Sequence, residues 1–502
     1  MRAGVAPSRR VAGPVPGRGA RGRAGPAAPA PGCLRDTTGT GDDAIVRIIV
    51  QKFGGTSLRG GRERAAAARH VVAAVQDGLH PVVVVSAMGR QGDPYATDTL
   101  VDLARDVHPR IPPREQDMLM VCGEIISAVV FAQELRARGI QAVALTGGQA
   151  GIVTDGQFGD ARILRVEPAL LRRHLERGRV PVVAGFQGVT EDGREFTTLG
   201  RGGSDTTAAA LGVALRAEVV EIYTDVDGVK TADPRLVPEA RTLSTATYDE
   251  IVQMAHEGAR VVHPRAVELA MRGNVPLRIR STFSDDPGTL ITRHWEVDQV
   301  WPDLRQARAV TGITHIPGLT QITLQTTADD DQALNVRLFR ALADRGISVD
   351  MINVSPHRKS FVVRDDRAGE AREALEALGL KPELRPGCAK VTVVGAGMHG
   401  VPGVMARVVE ALKAAGVSIL LTVDSHMTIS CLVDGDELGR AVRALHQHFG
   451  LGGVAPLLDG PERAPRDRAA VAEAGAAVAA RQEQAEAREE AVDAGEGASR
   501  RA

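Results

Sequence analysis

Lys52 follows a β-branched run, Ile48 to Val50, almost at once within "IIVQKFGGTSL", and after Phe53 come two glycines, Gly54 and Gly55, and two hydroxyls, Thr56 and Ser57. A cation, two glycines and two hydroxyls at a strand end are suited to meeting an anion. This is not the Walker arrangement, in which the lysine follows the glycine loop instead of preceding it. A second group lies in "LGRGGSDTTAAALGVAL", where Arg201 and three glycines precede Ser204, Asp205 and an alanine-rich helix. Either Ser204 or Asp205 is expected to cap that helix. Its N-terminus, beside Arg201, favours an anionic group. A capped helix after a tight turn would explain this stretch alone; with a Lys-Gly-Gly strand end in the same sheet, the ligand-site reading is preferred.

"YTDVDGVKTADPR" supplies a third group: Thr224, Asp225 and Asp227 at a strand end, then Lys230 and Arg235 on the following loop. The D-x-D-G spacing resembles part of a calcium loop, but the closing glutamate is missing. A nucleotide contact fits better, with magnesium arriving on the phosphates and no metal site built by the protein alone. Glu124, in "MLMVCGEIIS", stands on an otherwise apolar helix. A single glutamate there is most often solvated, so it carries little weight by itself.

Cations and glycine loops at strand ends suit phosphoryl transfer, which depends on positioning and charge neutralisation. The H-R-D and D-F-G set of protein kinases is absent, as is a G-x-S-x-G nucleophile elbow. A carboxylate acceptor would already be ionised at neutral pH and would need no general base, in keeping with the lack of an obvious one.

These residues need a frame. Apolar strand-like runs occur at 45–51, 81–87, 141–147, 180–186, 218–226 and 276–282, and helix-like stretches at 62–77, 114–138 and 204–216. Such alternation implies a mainly parallel sheet covered by helices, with ligands beyond the carboxyl ends of its strands. "GGTS", "SAMG", "TGG", "GFQG" and "TDVDG" all fall there. After Trp301 two similar segments follow, each reading strand, loop, helix, strand, strand, helix. This is an internal repeat of about 70 residues, indicating paired α+β modules. The letters "GAGMHG" (395–400) match a dinucleotide fingerprint, but no acidic residue follows at the required distance, so they are read as a module loop.

The chain's 502 residues allow about two to four domains. A net charge of -1 gives no reason to expect nucleic acid or a membrane surface as partner, and 3% aromatic content argues against a base-stacking platform. Cys33, Cys122, Cys388 and Cys431 are widely spaced, against a zinc site or disulfide framework and in keeping with a cytoplasmic protein. No continuous apolar run reaches the roughly 18 residues of a membrane span.

Together "KFGGTS", "SAMG", "GE", "GRGGSDTT", "TDVDGV", "TADPR" and "VPLRIRS" resemble the aspartokinase family over about residues 46–456, their order and spacing counting for more than any single block. "GRQGDPYATD" and "DSHMTIS" resemble most the bacterial monofunctional form inhibited by meso-diaminopimelate. The resemblance implies an amino-acid-kinase fold over 45–295, ACT modules over 306–386 and 387–456, a disordered extension over 1–44 and an Ala/Glu/Arg-rich tail over 457–502. It implies transfer of the ATP γ-phosphoryl group to the β-carboxylate of L-aspartate, with Mg2+ carried by the nucleotide. Lys52, Arg201 and Asp205 become the catalytic set. Lys52, Phe53, Gly54, Gly55, Thr56, Thr224, Asp225, Lys230, Arg235 and Arg260 meet the nucleotide, and Ser86, Thr97, Glu124, Arg201, Ser204 and Asp205 the amino acid. Asp350, Met351 and Asn353 would border a pocket for a feedback amino acid, meso-diaminopimelate or lysine, in a homodimer formed through the ACT modules. Arg260 stands where the family usually has lysine, a change of shape at constant charge.

Two other readings use the same residues: another amino-acid kinase of this fold, acting on glutamate, acetylglutamate or UMP, and a catalytically weak amino-acid sensor. The Glu124–Arg201 pair and the ACT modules disfavour the first. The Arg-, Gly- and Pro-rich start, residues 1–43, could serve as a transit peptide, but a mis-called extension is preferred, with the natural chain beginning at or near Val46.

Overall fold

The computed structural model describes residues 47–259, 261–293, 310–326, 331–398 and 401–453. The extension 1–44 and the tail 457–502 lie outside the described residues. The first part runs β1 (Ile48–Phe53), α1 (Gly61–Gln76), β2 (His80–Val85), α2 (Thr97–Arg105), α3 (Pro113–Arg136), β3 (Ala142–Leu145), β4 (Ile152–Thr154), β5 (Ile163–Val166), α4 (Ala169–Leu175), β6 (Val180–Ala184), β7 (Gln187–Thr190) and β8 (Phe196–Thr198). It continues with α5 (Gly203–Leu215), β9 (Val219–Thr224), β10 (Thr245–Thr247), α6 (Tyr248–His256), α7 (Pro264–Arg272), β11 (Leu277–Ser281) and β12 (Thr289–Thr292).

The main sheet has the order β10-β12-β11-β9-β1-β2-β6-β3. From β11 to β3 every neighbouring pair is parallel. Both faces are covered, so the central strands are apolar on both sides. In β2, Val82 and Val84 join one core with Val50 and Val220, while Val83 and Val85 join another with Phe53 and Phe131. Each fully buried valine contributes about 1.5–3 kcal/mol. Chain order reverses between β1 and its two neighbours, β2 on one side and β9 on the other, which opens a crevice at their carboxyl ends.

A second sheet, β5-β4-β7-β8, was not foreseen. Its strands have three or four residues each, too short to show a period. By length and composition α3 could cross a membrane, which a search for continuous apolar runs misses. It is instead a core helix, packed on α1, α2, β2, β3, β6 and β8 with Phe131 and Leu135 fully buried.

The second part runs β13 (Gly312–Gln325), α8 (Asp331–Ala343), β14 (Asp350–Val354), β15 (Arg358–Arg364), α9 (Ala368–Glu376), β16 (Glu383–Val394), α10 (Val404–Ala414), β17 (Leu421–Asp424), β18 (Thr428–Asp434) and α11 (Leu438–His448). The repeat is therefore real: β13-α8-β14-β15-α9, then β16-α10-β17-β18-α11. All six strands form one antiparallel sheet, β14-β15-β13-β16-β18-β17. β13 and β16 pair along most of their length, so the expected boundary between residues 386 and 387 falls inside a strand that both modules share.

Candidate active site

β1 delivers Lys52 and the glycine turn to the crevice. Lys52 Nζ forms an ion pair with Asp205 at 2.6 Å, both side chains being largely buried. Gly55 cannot be replaced without moving backbone, because a Cβ there would lie 2.6 Å from the carbonyl oxygens of Ala87 and Gly89. Ser86 N donates to Phe53 O at 3.1 Å, Gly89 N to Gly55 O at 3.0 Å and Gly54 N to Tyr223 O at 3.4 Å, so the ends of β1, β2 and β9 form one unit. Thr56 and Ser57 lie in a 3-10 turn, Gly55–Ser57. Ser57 Oγ lies 2.6 Å from Thr282 Oγ1, and the Thr282 carbonyl lies 3.0 Å from His70 Nε2, which holds the turn from below.

α5 brings Asp205 to Lys52. The helix approaches the sheet closely because Gly212 has no side chain; a Cβ there would lie 2.3 Å from Val220. Neither Ser204 nor Asp205 caps it, contrary to expectation. The N-cap is Gly202, in the left-handed region at φ 73°, without a side-chain cap. A side chain at Gly202 would strike the His263 ring, at 2.2 Å, so packing and conformation both demand glycine. Ser204 and Asp205 fall one and two residues inside the first turn instead. Arg201 is exposed and makes no ion pair among the described residues.

Glu124 corrects the solvated reading. It is 3% exposed, and burial pushes its carboxyl up to about 7. One oxygen accepts from Ala87 N at 3.3 Å and from Thr97 Oγ1 at 3.4 Å. The other is buried and has no hydrogen-bond partner, a costly state that a cationic ligand group would relieve.

At the end of β9, Thr224 Oγ1 donates to Asp225 at 3.2 Å and Asp225 pairs with Arg90 at 3.1 Å. Lys230 donates to Thr242 Oγ1 at 2.7 Å, while Arg235 is exposed and folded onto Asp233 at 2.6 Å. Phe53 contributes only backbone here, since its ring is fully buried and stacked on Tyr223 at 4.8 Å. Arg260 lies outside the described residues.

Two positions were missed. His263 caps α7, accepting from Arg265 N at 3.3 Å, and its pKa is lowered by burial, against the charge of Asp205. Asp117, wholly buried on α3, accepts from Gly159 N, Thr198 N and Thr198 Oγ1 at 3.0, 2.8 and 2.8 Å, fixing the strand that leads into Arg201. Nothing in local sequence separates either from an ordinary surface residue.

In the second part, Asp350 accepts from Lys390 Nζ at 2.5 Å, and Lys390 also pairs with Glu257 at 2.8 Å. Met351 sits in the left-handed region, at φ 48°, with its side chain buried beside Leu319 and Val362. Asn353 is exposed. Of the three expected effector contacts, Met351 therefore offers only backbone.

Comparison with known proteins agrees with this architecture. Residues 47–281 match the amino acid kinase family, and 334–378 and 383–447 match ACT domains. The chain is 47% identical over 406 residues to aspartokinase 1 of Bacillus subtilis, covering 81% of this chain and 100% of that protein. Among solved structures, E. coli aspartokinase III with aspartate and ADP (R-state) superposes with a TM-score of 0.64 at 25% identity, covering 80% of this chain and 99% of that one. The same protein with lysine and aspartate (T-state) gives 0.63 at 26% identity, with the same coverage.

Proposed function

The chain belongs to the aspartokinase family, and from that premise we propose how its cleft transfers a phosphoryl group to aspartate under ACT-module control. The γ-phosphoryl group of ATP passes to the β-carboxylate of L-aspartate. The product, 4-phospho-L-aspartate, opens the route to diaminopimelate, lysine, threonine and methionine.

Lys52 neutralises charge on the phosphoryl group in flight, and Asp205 keeps its ammonium over the glycine turn. Backbone N–H groups of Gly54, Gly55 and Thr56 meet the phosphates, with the Phe53 backbone beside them. Glu124 holds the substrate ammonium, Arg201 its α-carboxylate, and Ser86, Thr97 and Ser204 line the space between. Thr224, Asp225, Lys230, Arg235 and Arg260 hold the nucleotide. No residue need remove a proton, because the attacking carboxylate is ionised.

Among the described residues no group of three or more His, Cys, Asp or Glu is placed to hold a metal. In this proposal magnesium arrives on the nucleotide, bound mainly through phosphate oxygens and water, with Asp205 or Asp225 as a single protein contact. Bound there, the ion would neutralise phosphate charge.

The observation that carries this reading is the buried Glu124 carboxylate, with one unpartnered oxygen, against the β2 end that supports the glycine turn. For control, E. coli aspartokinase III has been captured with lysine and aspartate. Here meso-diaminopimelate is the favoured effector and lysine the second choice, bound at Asp350, Asn353 and the Met351 backbone in an ACT-mediated homodimer. The test is hydroxylamine trapping with ATP and L-aspartate, the hydroxamate being identified by mass spectrometry and NMR. β-Aspartyl hydroxamate supports the reading. Absence of product, or equal turnover of L-glutamate, contradicts it.

A further inference from the structure

The segment joining β9 to β10 carries Lys230 and Arg235, yet among the described residues it forms no regular element of its own beyond one isolated bridge, Lys230–Thr242. What holds it comes largely from the second part of the chain. Thr231, next to Lys230, is fully buried. Its N–H donates to Arg241 O at 2.9 Å, and Ile313 N of β13 donates to its carbonyl at 2.8 Å. Its hydroxyl accepts from Arg241 N at 3.2 Å and lies 3.0 Å from Nε2 of His446, on the last helix of the second ACT module. Arg241 Nε in turn donates to Leu451 O at 3.0 Å, and Arg443 donates to Leu236 O at 3.3 Å. Ala232 and Val237 share one apolar core with Val391, Val442 and Leu445. A loop of the kinase domain is thus built into the ACT module.

We infer that His446 is a positioning residue for nucleotide binding: it fixes the Thr231 hydroxyl and, through it, the backbone that sets Lys230. Thr231 Oγ1 already accepts one N–H, so its own proton is free to be donated, and Nε2 of a neutral His446 accepts it. Burial keeps that imidazole neutral; the nearby Glu239 carboxylate opposes this and the Arg241 guanidinium supports it. The consequence is a route by which the state of the second ACT module reaches ATP without passing through the aspartate pocket. The inference rests on the assignment of Lys230 to the nucleotide.

The test uses the full-length protein with Thr231→Val, Thr231→Ser, His446→Phe and His446→Gln. ATP affinity is measured by calorimetry, the two KM values by steady-state kinetics, and folding by thermal melting. Losing one buried hydrogen bond should weaken ATP binding about five- to tenfold in Thr231→Val and His446→Phe. The KM for aspartate should stay within about twofold, a split that a general loss of structure would not give. Thr231→Ser keeps the hydroxyl, and His446→Gln offers an amide oxygen to accept it, so both should bind ATP nearly as wild type does. The double variant Thr231→Val/His446→Phe should be no weaker than either single one. If His446→Phe does not fold, the Thr231→Val against Thr231→Ser comparison decides. Unchanged ATP affinity in Thr231→Val, or equal damage to both substrates, overturns the inference. Calorimetry needs no turnover, so a wild type that binds ATP without phosphorylating aspartate would refute the activity and still leave this comparison decisive.

Discussion

Replacing Glu124 by glutamine separates stability from function in opposite directions. The carboxyl is held at about 7, against an ordinary 4.5, mainly because it is buried. Between those values the folded protein binds more protons than the unfolded chain, so stability falls as pH rises. The rise corresponds to a penalty of about 3 kcal/mol, absent below pH 4.5 and complete above about pH 7. Glutamine has the same shape and still accepts from Ala87 N and Thr97 Oγ1, but carries no charge to desolvate. Glu124→Gln should therefore melt higher than wild type at pH 8, with the gap closing towards pH 5. On the proposed role of Glu124, the same change removes the partner of the substrate ammonium, so the KM for aspartate should rise roughly 10- to 100-fold while ATP affinity is kept. In the wild type that KM should climb as pH falls below about 7, and in the variant this climb should vanish. The assay is paired thermal melts and steady-state kinetics from pH 5.5 to 8.5. A variant less stable than wild type at pH 8, or one with unchanged aspartate KM, would refute the reasoning.

Arg201→Ala should raise the aspartate KM by a similar factor and leave calorimetric ATP affinity within about twofold, since the side chain makes no ion pair among the described residues whose loss could disturb the fold. Lys390→Met should uncouple feedback: Lys390 ties Asp350, on the strand proposed to meet the effector, to Glu257, three residues before Arg260, so any inhibition by the proposed effectors, diaminopimelate or lysine, should weaken while the uninhibited rate persists. Asp350 is half exposed and Glu257 still accepts from Thr392 Oγ1, so the loss of stability should be modest, about 1–2 kcal/mol, read from denaturant melts, and full retention of inhibition would count against the coupling.

The strands were legible wherever β-branched runs were long and buried on both faces, as in Val82–Val85 and in β1 at the middle of the sheet. Lys52 and its glycines were legible because a close approach of backbones admits little else, as Gly55 shows. Glu124 was underrated because the exposed face of α3 is itself largely apolar, with Met118, Cys122 and Val129 on the outside, so no clear polar face exists against which its burial could be judged. The cap of α5 was misread because the decisive neighbour of Gly202 is His263, far along the chain. His446 and Thr231, 215 residues apart, meet only once the ACT core has formed. Contacts of that range leave no periodicity to read.

The central claim is that Lys52, held by Asp205 over the glycine turn, stabilises the phosphoryl group during transfer. It is tested most directly by the kcat of purified, folded Lys52→Ala at saturating ATP and L-aspartate. Charge stabilisation of this kind predicts a fall of roughly two or more orders of magnitude, with the circular dichroism spectrum unchanged. A Lys52→Ala variant turning over near the wild-type rate would contradict the account.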